Sequence, residues 1–381
     1  MRGVRRMWRV KAYHDRLTVE RAKGPSLRKR MLLQWHITER CNNRCIHCYQ
    51  ELGRTDELTR DELIRVADRF CDLAAIGNGQ PGHINLTGGE PFIREDIWDL
   101  LEEFHARRGA FSFAILTNGS FIDAKSARRL KSLGPGFIQV SIDGDEAMHD
   151  SIRGPGDHRR ISRAIRYLGE NGIRTLISFT ASRRNYRCFS DVAKLGMKLG
   201  VSKVWTDRFI PCGGSGSHKD EVLSPAEVRD LFSAVLKVRG RAGRNPLSRT
   251  EIAMDRALQF LAVGGEPYRC AAGGTLITVM ANGDVVPCRR MPIPAGNVLD
   301  RPLKEIYLEN PLFIALRDRK RAADGCGCCF YERLCGGGLR CLSYALTGDP
   351  FRKDPGCWVE TAATVYAPNH PGPGNTMETF T

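Results

Sequence analysis

The sequence predicts an α/β protein: a partial (β/α)6 TIM-like barrel followed by a small cysteine-rich domain. Two observations predict it. Over residues 31–217 six short apolar runs alternate with amphipathic stretches, the rhythm of βα units around a parallel sheet. Residues 270–357 then hold eight of the fourteen cysteines among Gly-rich turns, a composition with too little apolar material to fold without something bound to its thiols. The chain has 381 residues, 42% of them hydrophobic and 27% charged, enough for a sizeable core. No apolar run approaches the roughly 18 residues that span a bilayer, so a membrane protein is excluded.

Taken in order, residues 1–30 form a basic arm with eleven Lys/Arg against Asp15 and Glu20. The arm lacks the apolar centre of a secretory signal, which makes the cytoplasm the expected compartment. In that reducing compartment fourteen thiols point to metal or catalysis rather than to disulfides. The predicted strands are 31–37, 83–86, 111–116, 137–142, 173–179 and 203–210, and the predicted helices between them 58–75, 94–108, 123–133, 158–168 and 189–199. Thr59 followed by Glu62 forms a capping box for the first helix. Six such units fall short of the eight of a closed barrel. Residues 211–217, Pro-Cys-Gly-Gly-Ser-Gly-Ser, read as a loop. A helical bridge over 218–269 follows, with helices at 225–238 and 251–263, then the cysteine-rich domain at 270–358 and a flexible tail at 359–381. The net charge of +15 suits an acidic peptide or solubility; its scatter along the chain argues against nucleic acid.

After the first strand comes Cys41-Asn-Asn-Arg-Cys45-Ile-His-Cys48. Three thiolates at this spacing suit three irons of a [4Fe–4S] cube, leaving the fourth iron open; a zinc knot completed by His47 is the alternative. The next strand runs into Thr87-Gly88-Gly89-Glu90-Pro91, where glycines permit close backbone approach and oxygens accept from an ammonium. Later strand ends carry Thr117-Asn118-Gly119 and Ser141-Ile142-Asp143-Gly144. Parallel βα sheets bind ligands beyond such carboxyl ends, with simple turn-capping as the alternative for any one side chain.

This combination resembles the radical S-adenosylmethionine (SAM) superfamily. The resemblance implies that Cys41, Cys45 and Cys48 hold a [4Fe–4S] cluster whose open iron chelates SAM, and that one electron cleaves SAM to methionine and a 5′-deoxyadenosyl radical. It implies a SAM site at Gly88, Gly89, Glu90, Pro91, Thr117, Asn118, Ser141 and Asp143. Arg153 is a further candidate, for a carboxylate or for a surface ion pair, and Ile177 and Phe179 are candidates for packing the adenine or the core. His47 stands where the family usually has an aromatic residue.

The later cysteines run Cys270-x12-Gly283-x4-Cys288, then Cys326-x2-Cys329-x5-Cys335-x5-Cys341 and Cys357. This is similar to the SPASM extension of radical SAM enzymes, which implies two auxiliary [4Fe–4S] clusters. Cys326, Cys329, Cys335 and Cys357 would hold the outer one, and Cys270, Cys288 and Cys341 the inner one, its fourth position vacant or non-cysteine. The five-residue gap before Cys341, where the family has three, and the extra thiol Cys328 depart from the pattern. Cys71 and Cys188 read as simple core or surface thiols. Cys212, after the sixth strand, is the one candidate catalytic side chain, as a proton or hydrogen-atom donor, with a plain loop cysteine as the alternative.

The resemblance implies an oxidoreductase that takes hydrogen from a peptide or protein substrate, most often in ribosomal-peptide maturation, with a haem or other cofactor precursor as the alternative substrate. A non-catalytic iron–sulfur or zinc scaffold binding RNA is the distant alternative, which the complete triad and GGEP disfavour. Sulfatase-maturing relatives carry a catalytic aspartate after the hairpin cysteine; here that residue is Arg289. The implied partners are a separate leader-binding protein and a flavodoxin or ferredoxin electron donor.

Overall fold

The computed structural model describes residues 30–50, 56–76, 80–244 and 249–359. The basic arm, save Arg30, and the tail, save Val359, lie outside the described residues. Six strands, β1 (Leu32–His36), β2 (Gly82–Thr87), β3 (Phe111–Thr117), β4 (Ile138–Ser141), β5 (Thr175–Ala181) and β6 (Lys203–Arg208), pair in parallel in chain order. Helices α1 (Arg60–Ala74), α2 (Ile97–Ala106), α3 (Ala124–Leu133), α4 (Glu146–Arg153), α5 (Asp157–Glu170) and α6 (Phe189–Lys198) return the chain between them. The expected partial barrel is present, and the Thr59–Glu62 capping box opens α1. Helix α4 was not anticipated: only His149 and Ile152 of its eight residues are buried, so it lacks a clear apolar stripe.

Two segments of the bridge differ from expectation. Helix α7 runs over Pro225–Ala242, beyond the expected 238. The predicted helix at 251–263 is instead a two-residue strand, β7 (Glu251–Ile252), pairing in parallel with β6, followed by a single helical turn, α8 (Phe260–Val263). Leu258 between them has φ 66°, a left-handed backbone that no helix continues through.

The cysteine-rich region adds to the same sheet. Strand β8 (Leu276–Val279) pairs in parallel with β1, turns through Asn282-Gly283 into antiparallel β9 (Asp284–Val286), and β10 (Gly296–Asn297) completes the edge. The ten strands run β10-β9-β8-β1-β2-β3-β4-β5-β6-β7. Four short helices follow: α9 (Leu303–Glu309), α10 (Pro311–Arg317), α11 (Glu332–Cys335) and α12 (Arg340–Thr347). Cys288 therefore stands just past a hairpin docked on the first barrel strand.

Strand alternation sorts the side chains. Leu33, Trp35, Ile84, Leu86, Phe111, Ile138 and Val140 belong to the buried core under the helices; Trp35 stacks on Phe104 of α2 at 6.0 Å. Ile177 and Phe179 share this outward face, with Phe179 edge-on to Phe189 of α6 at 5.7 Å. They pack the core and not an adenine. The opposite face, turned to the barrel interior, is polar: Gln34, His36, Asn85, Ser141, Ser178 and Thr278.

Candidate active site

The loop carrying Cys41, Cys45 and Cys48 leaves β1 through 37–40, a stretch held on all sides. Arg94, 7% exposed, donates to the Ile37 and Leu58 carbonyls at 2.8 and 3.2 Å and pairs with Asp96 at 2.7 Å. From the β2 end, Gly89 N–H donates to the Thr38 carbonyl and Glu90 N–H to the Arg40 carbonyl, both at 2.9 Å. A Cβ on Gly88 would stand 2.3 Å from Thr38 O, and one on Gly89 2.1 Å from Arg40 O. The two glycines thus serve first to let one loop press on the other, rather than only to admit a ligand.

Glu90 is wholly buried. Its carboxylate accepts from Thr117 Oγ1 at 2.8 and 2.9 Å, from Asn118 N at 2.7 Å and from Phe92 N at 3.1 Å. Burial pushes its pKa up to about 7, against the pull of those donors. Thr117 therefore spends its hydroxyl on Glu90. Asn118 spans the gap to the cysteine loop, donating to Asn42 Oδ1 at 2.9 Å and toward Cys41 Sγ at 3.8 Å.

Asp143 is held from two sides. Its carboxylate, 0% exposed, accepts from Thr180 N at 2.9 Å through Oδ1 and from Arg153 Nε at 2.5 Å through Oδ2, so part of its acceptor capacity is spent inside the protein. Burial would raise it, but the charge of Arg153 and the Thr180 N–H hold it below the ordinary carboxylate range. Arg153 in turn donates toward Cys45 Sγ at 3.8 Å and to His47 Nε2 at 3.2 Å. Burial lowers His47 to about 4, so the ring is neutral and can accept. Arg153 thus meets a carboxylate, that of Asp143, in an ion pair that is buried rather than at the surface, and it braces the cysteine loop.

A second set of residues, invisible to spacing, completes the brace. His149 accepts from Asp143 N at 3.1 Å through Nδ1 and donates through Nε2 to Asp157 at 3.0 Å; Asp157 also accepts from Asn43 at 3.2 Å. Asn43, His149 and Asp157 carry no motif, and only the packing of α4 and α5 on the loop brings them together. Ser141 and Pro91 stand where expected, at the end of β4 and the start of a short 3-10 turn at Pro91–Ile93.

Burial raises the pKa of Cys41, Cys45 and Cys48, and each feels at least one other thiol of the set. Cys326, Cys329, Cys335 and Cys357 together line one recess, with Phe260 and Tyr331 also in its wall. Cys328 is exposed and outside that lining. The long gap before Cys341 is taken up by Gly336, Gly337 and Gly338, all at positive φ (65°, 94° and 85°), a path that only glycine follows without strain. It leaves Cys335 on the recess and carries Cys341 into a separate apolar cluster with Cys288 and, at its edge, Cys270 and Cys212.

Cys212 stands between the two halves: burial pushes its thiol up to about 11, with Cys288 on one side and Cys48 on the other adding to the rise. Its loop is seated by Gly213, where a Cβ would lie 1.7 Å from Tyr49 O, and Gly214, where one would lie 2.5 Å from Gln50 O. A Gly213→Ala variant should push this loop off the cysteine loop and lower deoxyadenosine formation on the order of a hundredfold. Unchanged turnover and iron retention in that variant would contradict the packing described.

Residues 35–195 match the radical SAM superfamily. The AdoMet-dependent heme synthase of Nitratidesulfovibrio vulgaris is 30% identical over 86% of this chain and 91% of its own. The chain belongs to the radical SAM superfamily. Residues 270–330 match SPASM, an iron–sulfur cluster-binding domain, so the cofactors of this radical SAM enzyme are SAM and [4Fe–4S] clusters, auxiliary ones included. The mycofactocin maturase MftC of Mycobacterium ulcerans is 28% identical over 90% of this chain and 91% of its own. Among solved structures, SuiB of Streptococcus suis bound to S-adenosylmethionine superposes with a TM-score of 0.70 at 16% identity, over 87% of this chain and 78% of its own, a likeness of fold.

The residues of this radical SAM chain fit those groups. Among the described residues no three His, Cys, Asp or Glu side chains converge tightly enough for one metal ion, whereas a cube of four irons spreads its thiolates over a wider span. The four-cysteine recess and the N–H donors aimed at Cys41 and Cys45 are the features a sulfur cluster uses. Among the described residues no helix is long and apolar enough to cross a membrane.

Proposed function

We propose that this enzyme oxidises a carboxylate-bearing tetrapyrrole by radical SAM chemistry, with Cys41, Cys45 and Cys48 holding the SAM-binding cluster. Cys326, Cys329, Cys335 and Cys357 would hold the outer auxiliary cluster, and Cys270, Cys288 and Cys341 the inner one. The observation that carries the substrate class is the cationic, polar barrel interior, where Arg290 and Arg256 act on the Asp207 carboxylate and Arg289 stands over the Tyr49 ring; the heme synthase likeness supports it.

When bound, the first cluster and SAM would supply the radical chemistry that removes a hydrogen atom from a substrate carbon, and the auxiliary clusters held by the later cysteines would supply a place for the remaining electron. This chain's residues do the rest. Arg153 and Asn118, aimed at Cys45 and Cys41, spread thiolate charge and favour the reduced cluster. Asp143, locked by Thr180 N–H, orients Arg153. Glu90, held by three donors, offers a buried acceptor for the methionine ammonium. Gly213 seats the strand-six loop over the cysteine loop, excluding water from the radical. A flavodoxin or ferredoxin would supply the reducing electron.

Peptide maturation is the second reading, favoured by the mycofactocin maturase likeness; there a separate leader-binding protein would present the substrate. Anaerobic enzyme given SAM, dithionite and iron coproporphyrin III should release more deoxyadenosine than without the tetrapyrrole and change the tetrapyrrole's mass. No rise, with turnover stimulated by a precursor peptide instead, would overturn the first reading in favour of the second.

A further inference from the structure

His36 ends β1 on the interior face of the barrel and is 0% exposed, yet neither ring nitrogen has a hydrogen-bond partner. Its ring lies 5.7 Å from that of Tyr49, the residue after Cys48. Arg289, the residue after Cys288, covers the same Tyr49 ring at 5.4 Å, and its Nη1 is buried without a partner. The three side chains reach this point from three separate places: the end of β1, the cysteine loop, and the β9 side of the hairpin that β8 docks on β1. They stand between the cysteines proposed for the SAM cluster and those proposed for the inner auxiliary one.

Buried donors left unpaired cost on the order of 1–3 kcal/mol each, so native structures rarely keep two together without a ligand or water. The carboxylates of the neighbourhood are otherwise engaged. Asp207 pairs with Arg290 at 2.6 Å, and Glu39 accepts from Gln50 at 2.8 Å. Arg289 is thus a cation with an open donor, His36 supplies a neutral N–H beside it, and Tyr49 forms an aromatic floor. A planar guanidinium with a free edge and a second donor is the geometry that receives a carboxylate. A phosphate would call for more donors than this pair offers.

We propose that Arg289 and His36 form the subsite that anchors one substrate carboxylate, with the Tyr49 ring beneath it. The inference rests on the tetrapyrrole reading above and names the group by which the substrate is held. It makes Arg289 a specificity residue: a carboxylate docked there sets how far the carbon to be oxidised stands from SAM.

The test is binding to the reconstituted holoenzyme, read by the Soret band of iron coproporphyrin III and of its tetramethyl ester. Wild type should bind the acid about thirtyfold or more tighter than the ester. Arg289→Met should cut that preference about tenfold, the share of one carboxylate, and Arg289→Lys should restore part of it. His36→Leu should lower acid affinity alone. Iron content and the auxiliary-cluster EPR signal report whether each variant has folded. A folded Arg289→Met enzyme that still prefers the acid by the wild-type factor overturns the subsite while leaving the tetrapyrrole reading intact. Wild type that binds neither form overturns that reading, and the subsite with it.

Discussion

Cys41→Ala enzyme is expected to form no deoxyadenosine above the no-enzyme level and to carry about eight irons per chain where wild type carries about twelve, the difference being one four-iron cluster of three. The basis is the division of the thiols in space. Cys41, Cys45 and Cys48 lie on one braced loop beside β1, while Cys326, Cys329, Cys335 and Cys357 line a recess of their own. A mutation in the loop should leave that recess, and its EPR signal after reduction, untouched. The buried thiols are protonated without metal, so assembly must release protons and should proceed further at pH 8.5 than at pH 6.5. Loss of all iron from Cys41→Ala, or retention of turnover, would contradict this division.

Asp354→Ala is expected to destabilise the folded protein by about 3–5 kcal/mol, seen as a lower urea midpoint. Asp354 is 0% exposed and Arg208 3%; the carboxylate accepts from both Arg208 Nη atoms at 2.8 and 2.5 Å, and from Leu339 N and Gly356 N at 2.8 and 2.9 Å. Removing it strands a guanidinium from the last long barrel strand and two backbone donors that flank Cys341 and Cys357. The damage should therefore reach the four-cysteine recess, and iron loss at sub-denaturing urea should precede global unfolding. Arg208→Met with Asp354→Leu should recover much of the loss, because it removes both buried charges together. A midpoint shift in Asp354→Ala below about 1 kcal/mol would show that the pair contributes little.

The barrel was legible in the sequence because period-two and helical patterns alternate cleanly from Leu32 to Arg208, and the cysteine sets because their spacings are local. The structure also settles the place of Cys328, which stands exposed beside a recess lined by Cys329. What spacing could not carry were contacts made by distant segments. Helix α4 lacks an apolar stripe, and the 251–263 stretch holds enough apolar residues for a helix while Leu258 turns left-handed within it. Asp143 and Arg153 were recognised as functional from their positions, yet their partners, Thr180 and Cys45, meet them only in the fold. His36, Tyr49 and Arg289 converge because β8 pairs with β1, an event no window of sequence announces.

The most direct test of the account is hydrogen transfer from deuterated iron coproporphyrin III. With anaerobic enzyme, SAM and dithionite, deuterium should appear in the deoxyadenosine, because the radical takes its hydrogen atom from that substrate. Deoxyadenosine formed at the same rate with and without the tetrapyrrole, and free of deuterium, would contradict the account.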